Sequence, residues 1–184
     1  MKTGLLFVVL LLALQLGTFG QTRLLCKTGH VWFNSKTPTE TFEAHSKNAV
    51  MQVDKSNGNI AIEIPILSFE FAKTLMKEHF NENYMDTRNI PAAKFSGKII
   101  NLNEIRFATD GTYNAIVEGN LTIHGVTKKV KQTGSIVVSA GGTKIKVTSQ
   151  FKVAPTDYNV VIESRYVGII ASQIDVYVDV DFIK

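Results

Sequence analysis

Four histidines, one cysteine and a lysine beside a hairpin turn are the residues of this chain best suited to chemistry. His30, His45 and His79 could ligate a metal or move protons. No short spacing ties them to one another or to carboxylates, so no metal centre is expected. His124 would be a tempting base. It sits in the dipeptide His124-Gly125 between two alternating segments. A two-residue hairpin loop there needs positive φ at both positions, and that geometry accounts for the histidine without catalysis. Cys26 is the sole cysteine, which excludes an internal disulfide framework and a multi-cysteine metal site. A homodimer bridged through Cys26 stays open. No nucleophile elbow, phosphate loop, paired carboxylates or Cys–His dyad appears in the sequence, so the chain does not read as an enzyme.

The segment that must position Lys128 is legible in detail. With His124 and Gly125 as the loop, Ile123 pairs with Val126, Leu121 with Lys128, Gly119 with Val130 and Val117 with Gln132. The other face pairs Thr122 with Thr127, Asn120 with Lys129 and Glu118 with Lys131, wholly polar with a cross-strand charge pair. One face is wet and one is apolar, as in a curved antiparallel sheet. Lys128 falls on the apolar face near the turn, where it can snorkel past a rim or meet a polar head group.

Elsewhere, period-two alternation dominates. Ile60, Ile62, Ile64 and Ile66 form one row, Ile145, Val147, Phe151 and Val153 another, and Ile174, Val176, Val178, Val180 and Phe182 a third. Asp175, Asp179 and Asp181 lie opposite that last row, on a solvated exterior. Further strands are expected at about 30–36, 42–53, 94–103, 112–123, 126–140 and 158–170, separated by turn signals such as Asn57-Gly58 and Asp110-Gly111. Such spacing predicts a sandwich or a barrel. Residues 70–82 break the pattern. Phe71, Leu75, Met76, His79 and Phe80 share one helical face, and Ser68 is placed to cap its start. That amphipathic helix would cover one end of a barrel.

Residues 1–20 read as a cleaved signal peptide: Lys2, the apolar run Leu5 to Leu16, then Thr18-Phe19-Gly20 before Gln21. The apolar run is short for a membrane span. The protein is therefore expected in the periplasm or secreted, without stable membrane insertion, as one domain over residues 21–184. Its 20 Lys+Arg against 16 Asp+Glu form no clustered basic stripe, so a nucleic-acid partner is not expected.

Taken in order, these residues resemble a known family. They are a helix ending near His79-Phe80, Asn89-Ile-Pro-Ala-Ala-Lys-Phe95, Gly119-Asn-Leu-Thr-Ile-His-Gly-Val-Thr-Lys128, and Asp157-Tyr158 before an alternating tail. The pattern is similar to that of YceI proteins over roughly residues 28–183. The connection after Gly29-His-Val-Trp-Phe-Asn-Ser-Lys36 is shorter than is typical. The resemblance implies an all-β fold: an eight-stranded antiparallel lipocalin-like barrel with one inserted helix. It also implies an isoprenoid-type amphiphile, a polyprenyl or isoprenoid quinone tail, as the partner, with no other cofactor.

The physics is compatible with that ligand. An eight-stranded barrel is either filled by side chains or holds one small ligand. Burying each methylene gains roughly 0.8 kcal/mol, so a few isoprene units would support binding. Expected cavity-lining residues are Phe69, Phe71, Leu75, Met76, Phe80, Tyr84, Met85 and Phe95, with the inward row Val117, Gly119, Leu121 and Ile123. Gly119 is expected to free space at the centre of that row, and Lys128 to contact a head group. The alternative is a structural or interaction module of the cell envelope whose barrel is filled by its own side chains.

Overall fold

The computed structural model describes residues 22–183, so the expected signal peptide at 1–20 lies outside the described residues. Eight long strands carry the fold: β1 (Arg23–Lys36), β2 (Thr41–Asp54), β3 (Asn59–Pro65), β5 (Ala92–Ile99), β6 (Gly111–Ile123), β7 (Val126–Ser139), β8 (Lys144–Val153) and β9 (Ile174–Ile183). Their order is β1-β9-β8-β7-β6-β5-β3-β2, and β1 pairs again with β2, closing an antiparallel barrel. A two-residue strand, β4 (Glu70–Phe71), pairs with β2 at the edge. Among the described residues no helix is long and apolar enough to cross a membrane.

The β6–β7 hairpin has the expected register, from Ile123↔Val126 through Leu121↔Lys128 and Gly119↔Val130 to Val117↔Gln132. Its loop residues take φ of 48° at His124 and 75° at Gly125. On the outer face Thr122 and Thr127 hydroxyls meet at 2.8 Å, and Lys131 bridges Glu118 at 3.0 Å.

Two expected elements differ. Residues 158–170 form no strand. They run as an extended segment with short turns at Pro155–Tyr158 and Ser164–Tyr166. The apolar alternation of that stretch serves a different purpose, with Val160 buried and Val161 76% exposed as the chain crosses the barrel end. The helix α1 (Thr74–His79) starts four residues later than the pattern suggests, because Glu70 and Phe71 are held in β4. It continues as a wider π-helical turn over Phe80–Tyr84. Ser68 does not cap it; its hydroxyl bonds Pro65 O at 2.5 Å and Ser46 Oγ at 2.7 Å.

Inward rows of the strands show a gradient that locates the empty space. On β9, Phe182 and Val180 are 4% and 0% exposed, while Val176 and Ile174 are only half-buried. The same change runs from Ile145 to Phe151 on β8, from Ala115 to Leu121 on β6 and from Ile60 to Ile64 on β3. All these residues point inward, so the half-buried ones face a hollow. The barrel is packed at the end bearing the β2–β3, β5–β6 and β7–β8 turns. It is open toward the end bearing α1 and residues 154–173.

Cys26 lies on the inward face of β1, 8% exposed, with Sγ 3.9 Å from Thr28 Oγ1. Its thiol is turned inward, so a bridge through it to a second copy would require β1 to open. Buried apolar thiols are poor nucleophiles. Cys26 should therefore resist a water-soluble thiol reagent in the native protein and react fully in urea. Rapid native labelling would show that β1 opens locally.

Candidate functional site

The hollow is a cavity of about 290 Å³ under α1, adjoining a second of about 120 Å³ deeper in the barrel. Val31, Ile64, Ala93, Leu121, Phe151 and Val176 border both, so the two volumes abut at a waist. The deeper one reaches Met51, Ile99 and Ile136, which form the packed floor. Carbon lines nearly all of this space. It can hold an apolar chain.

The roof is built from an aromatic cluster. Phe33 on β1 meets Phe69 at 5.3 Å, Phe80 at 5.5 Å and Phe71 at 5.9 Å between ring centroids, and Phe71 meets Phe80 at 5.1 Å. The angles are tilted or edge-on, the arrangement aromatic pairs prefer. On the helix, Met76, His79 and Phe80 recur at i, i+3 and i+4 and face the cavity.

Of the expected lining residues, Phe69, Phe71, Met76, Phe80, Tyr84, Met85, Leu121 and Ile123 border the larger volume, and Phe95, Val117 and Leu121 the smaller. Leu75 does not. It is 61% exposed, because starting the helix at Thr74 turns it to the solvent side with Glu78 and Glu82.

Gly119 does not open space either. It lies directly opposite Gly97 of β5. A Cβ at Gly119 would come 2.5 Å from Gly97 Cα and from Ser96 O, and 2.7 Å from Phe95 Cζ. The missing side chains let two strands approach and let the Phe95 ring lie over both, a known way of covering strand glycines.

Lys128 shares Leu121's face but stays out of the cavity wall. It reaches the rim, where Nζ bonds Asp157 at 2.9 Å and stands 5.9 Å over the Tyr158 ring. The polar groups actually in the wall of the larger cavity are Glu40, His79, Tyr84 and Tyr166. The Tyr84 hydroxyl is buried with no hydrogen-bond partner among the described residues, and burial raises its pKa.

Sequence reasoning missed Phe33, Phe42, Phe151, Val176 and the mouth residues Val160, Ile162, Ile169 and Ile170. The strand residues among them were marked by inward alternation. The mouth residues carried only an apolar pattern that resembled a strand.

A second cluster lies on the outer wall. His30 and His45, fifteen residues apart, meet at 3.0 Å between Nε2 and Nδ1. Trp32 stacks beside them, 4.6 Å from His30 at 24° and 4.9 Å from Tyr177 at 6°.

Comparison with known proteins places this geometry. No curated protein sequence matches the chain. Among solved structures, a polyisoprenoid-binding domain from Saccharophagus degradans, implicated in plant cell wall breakdown, superposes with a TM-score of 0.74. It is 14% identical, with 88% of this chain and 98% of that chain covered. BcnA from Burkholderia cenocepacia gives a TM-score of 0.65 at 20% identity, over 83% of this chain and 95% of that one. The YCEI protein of Campylobacter jejuni gives 0.57 at 17%, over 74% and 80%. At these identities the likeness concerns the fold. Residues 20–182, nearly the whole chain, match the model of the YceI-like domain, and the protein belongs to that family.

Proposed function

We propose that this protein is an exported bacterial lipid carrier that holds an isoprenoid-type amphiphile in its barrel, for sequestration or transport. The cavity carries the proposal: about 290 Å³ under the helix, adjoining about 120 Å³ below, with walls that are almost wholly carbon. A chain inserted from the mouth would run past Leu121 and Phe151 toward Ile136. The likeness to a polyisoprenoid-binding domain supports an isoprenoid over another chain. The signal-like segment supports export.

Tyr84 supplies the polar end of the site. It borders the cavity and its buried hydroxyl has no partner among the described residues, so a small turn of the ring would let it donate to a carbonyl or hydroxyl of the head group. Lys128 remains a rim charge, engaged with Asp157. The abutting cavities favour this reading over a surface-acting module with a barrel filled by its own side chains. Organic extraction of the native protein followed by mass spectrometry should yield a polyprenyl-containing species. A reproducibly empty barrel that takes up no added polyprenyl probe would overturn the proposal.

A further inference from the structure

The outer wall carries a feature that lipid binding does not use. His30 and His45 project outward from β1 and β2, beside a register irregularity between Gly29 and Val31. Such irregularities re-aim side chains. The ring centroids are 5.3 Å apart at 22°, and the facing nitrogens are 3.0 Å apart. The rings therefore lie nearly edge to edge, with their nitrogens directed at each other. Neutral imidazole has one donor and one acceptor nitrogen. Glu43 Oε1 accepts from His45 Nε2 at 3.1 Å, which leaves His45 Nδ1 as the acceptor for His30 Nε2–H. The chain Glu43–His45–His30 holds one proton between the two rings.

We propose that His30 and His45 form a two-histidine site for a divalent transition metal, with Cu(II) the preferred ion and Glu43 the carboxylate that orients His45. Metal–imidazole bonds of about 2.0 Å put cis nitrogens about 2.8 Å apart and tetrahedral ones about 3.3 Å apart. The observed 3.0 Å lies between these values, and since the two nitrogens face each other along one line, each ring must swing by about 35–45° to aim at a shared ion. The ion takes the place of the shared proton: His30 changes to its Nδ1–H tautomer, the Nε2 proton passing to solvent as Nδ1 takes one up, so both histidines ligate as neutral imidazoles with no net loss of protons. A ligating histidine that donates its other N–H to a carboxylate is the arrangement that fixes its tautomer and raises its basicity. The Glu43–His45 contact supplies it.

Asp179 stands opposite His30 on the neighbouring strand β9, where Lys146 already bridges its carboxylate at 2.7 Å. No third ligand converges there among the described residues, so water completes the coordination shell. Nitrogen sites of this type follow the affinity order in which copper exceeds zinc and nickel.

Trp32 makes the site observable. It is the only tryptophan in the chain, and its ring stacks on His30 at 4.6 Å and lies 6.1 Å from His45. Titration of tag-free protein with Cu(II) alone, in a non-coordinating buffer, should quench Trp32 emission saturably at one ion per chain. Zn(II) should compete with that quenching. His30→Asn and His45→Asn should each weaken binding at least tenfold. Glu43→Gln should weaken it about tenfold, the usual effect of losing an outer-shell partner. His79→Asn and His124→Asn, at the mouth and the hairpin, should leave it unchanged. Circular dichroism of each variant separates loss of the site from loss of the fold. Absent or unsaturable quenching overturns the proposal, as does quenching that survives in a folded His30→Asn or His45→Asn variant.

Discussion

Ala93→Trp is expected to cut the bound lipid at least tenfold while leaving the melting temperature unchanged or raised. Ala93 faces inward on β5, opposite Ile64, and borders both cavities. An apolar void of about 150 Å³ accommodates one benzene ring. An indole at the waist of a 290 Å³ cavity would therefore occupy much of the path to the deeper volume. Excluding one five-carbon unit from burial forfeits about 4 kcal/mol at roughly 0.8 kcal/mol per methylene. Each 1.4 kcal/mol is tenfold in affinity, so even partial blockage is visible. Filling an apolar void also returns roughly 24 cal/mol per Å³ to the folded state, which is why stability should not fall. Leu75→Trp is the matched control: the same ring on the exposed side of α1 should leave the lipid content unchanged. Equal lipid recovery from Ala93→Trp and the parent protein would show that the chain is not bound along the barrel axis.

The sequence made the β6–β7 hairpin legible because its turn chemistry is local. His124 and Gly125 fix the loop, the loop fixes the register, and the register places every side chain of both strands. The fold class was legible for a related reason, since period-two rows persist even when strand ends are uncertain. The helix was less so. Its sequence shows a face but not a starting point, and the pairing of Phe71 with Ala44 decides where the helix begins. Leu75 left the cavity on that account. Residues 158–170 misled because an extended segment over an open barrel end alternates like a strand without pairing like one. The His30–His45 contact could not be read at all. It depends on the register of two long strands and an irregularity within them, neither of which spacing encodes.

Gly119→Ala should destabilise the protein by about 3 kcal/mol, the upper end of what overpacking costs. For a domain of this size, that corresponds to a drop in melting temperature of about 6–12 °C. The residue looked like an opening in an apolar row, and whether it is one depends on what lies across the sheet. Gly97 lies there, and the added methyl would meet its Cα and Ser96 O at 2.5 Å. Both are backbone atoms of a paired strand, so the contact is relieved only by parting β5 from β6. The third contact, Phe95 Cζ at 2.7 Å, belongs to a side chain that could move. Combining Gly119→Ala with Phe95→Ala separates the two causes. If the backbone contact dominates, the pair of changes is no more stable than Gly119→Ala alone, because removing the ring leaves the strand clash and adds a void. Urea unfolding with an unchanged m-value would place the loss in the native sheet and not in the unfolded chain. A Gly119→Ala protein with the parent midpoint would mean that the two strands part there at little cost. Phe95 also borders the smaller cavity, so the glycine pair that lets its ring lie flat helps set how deep a lipid chain can reach.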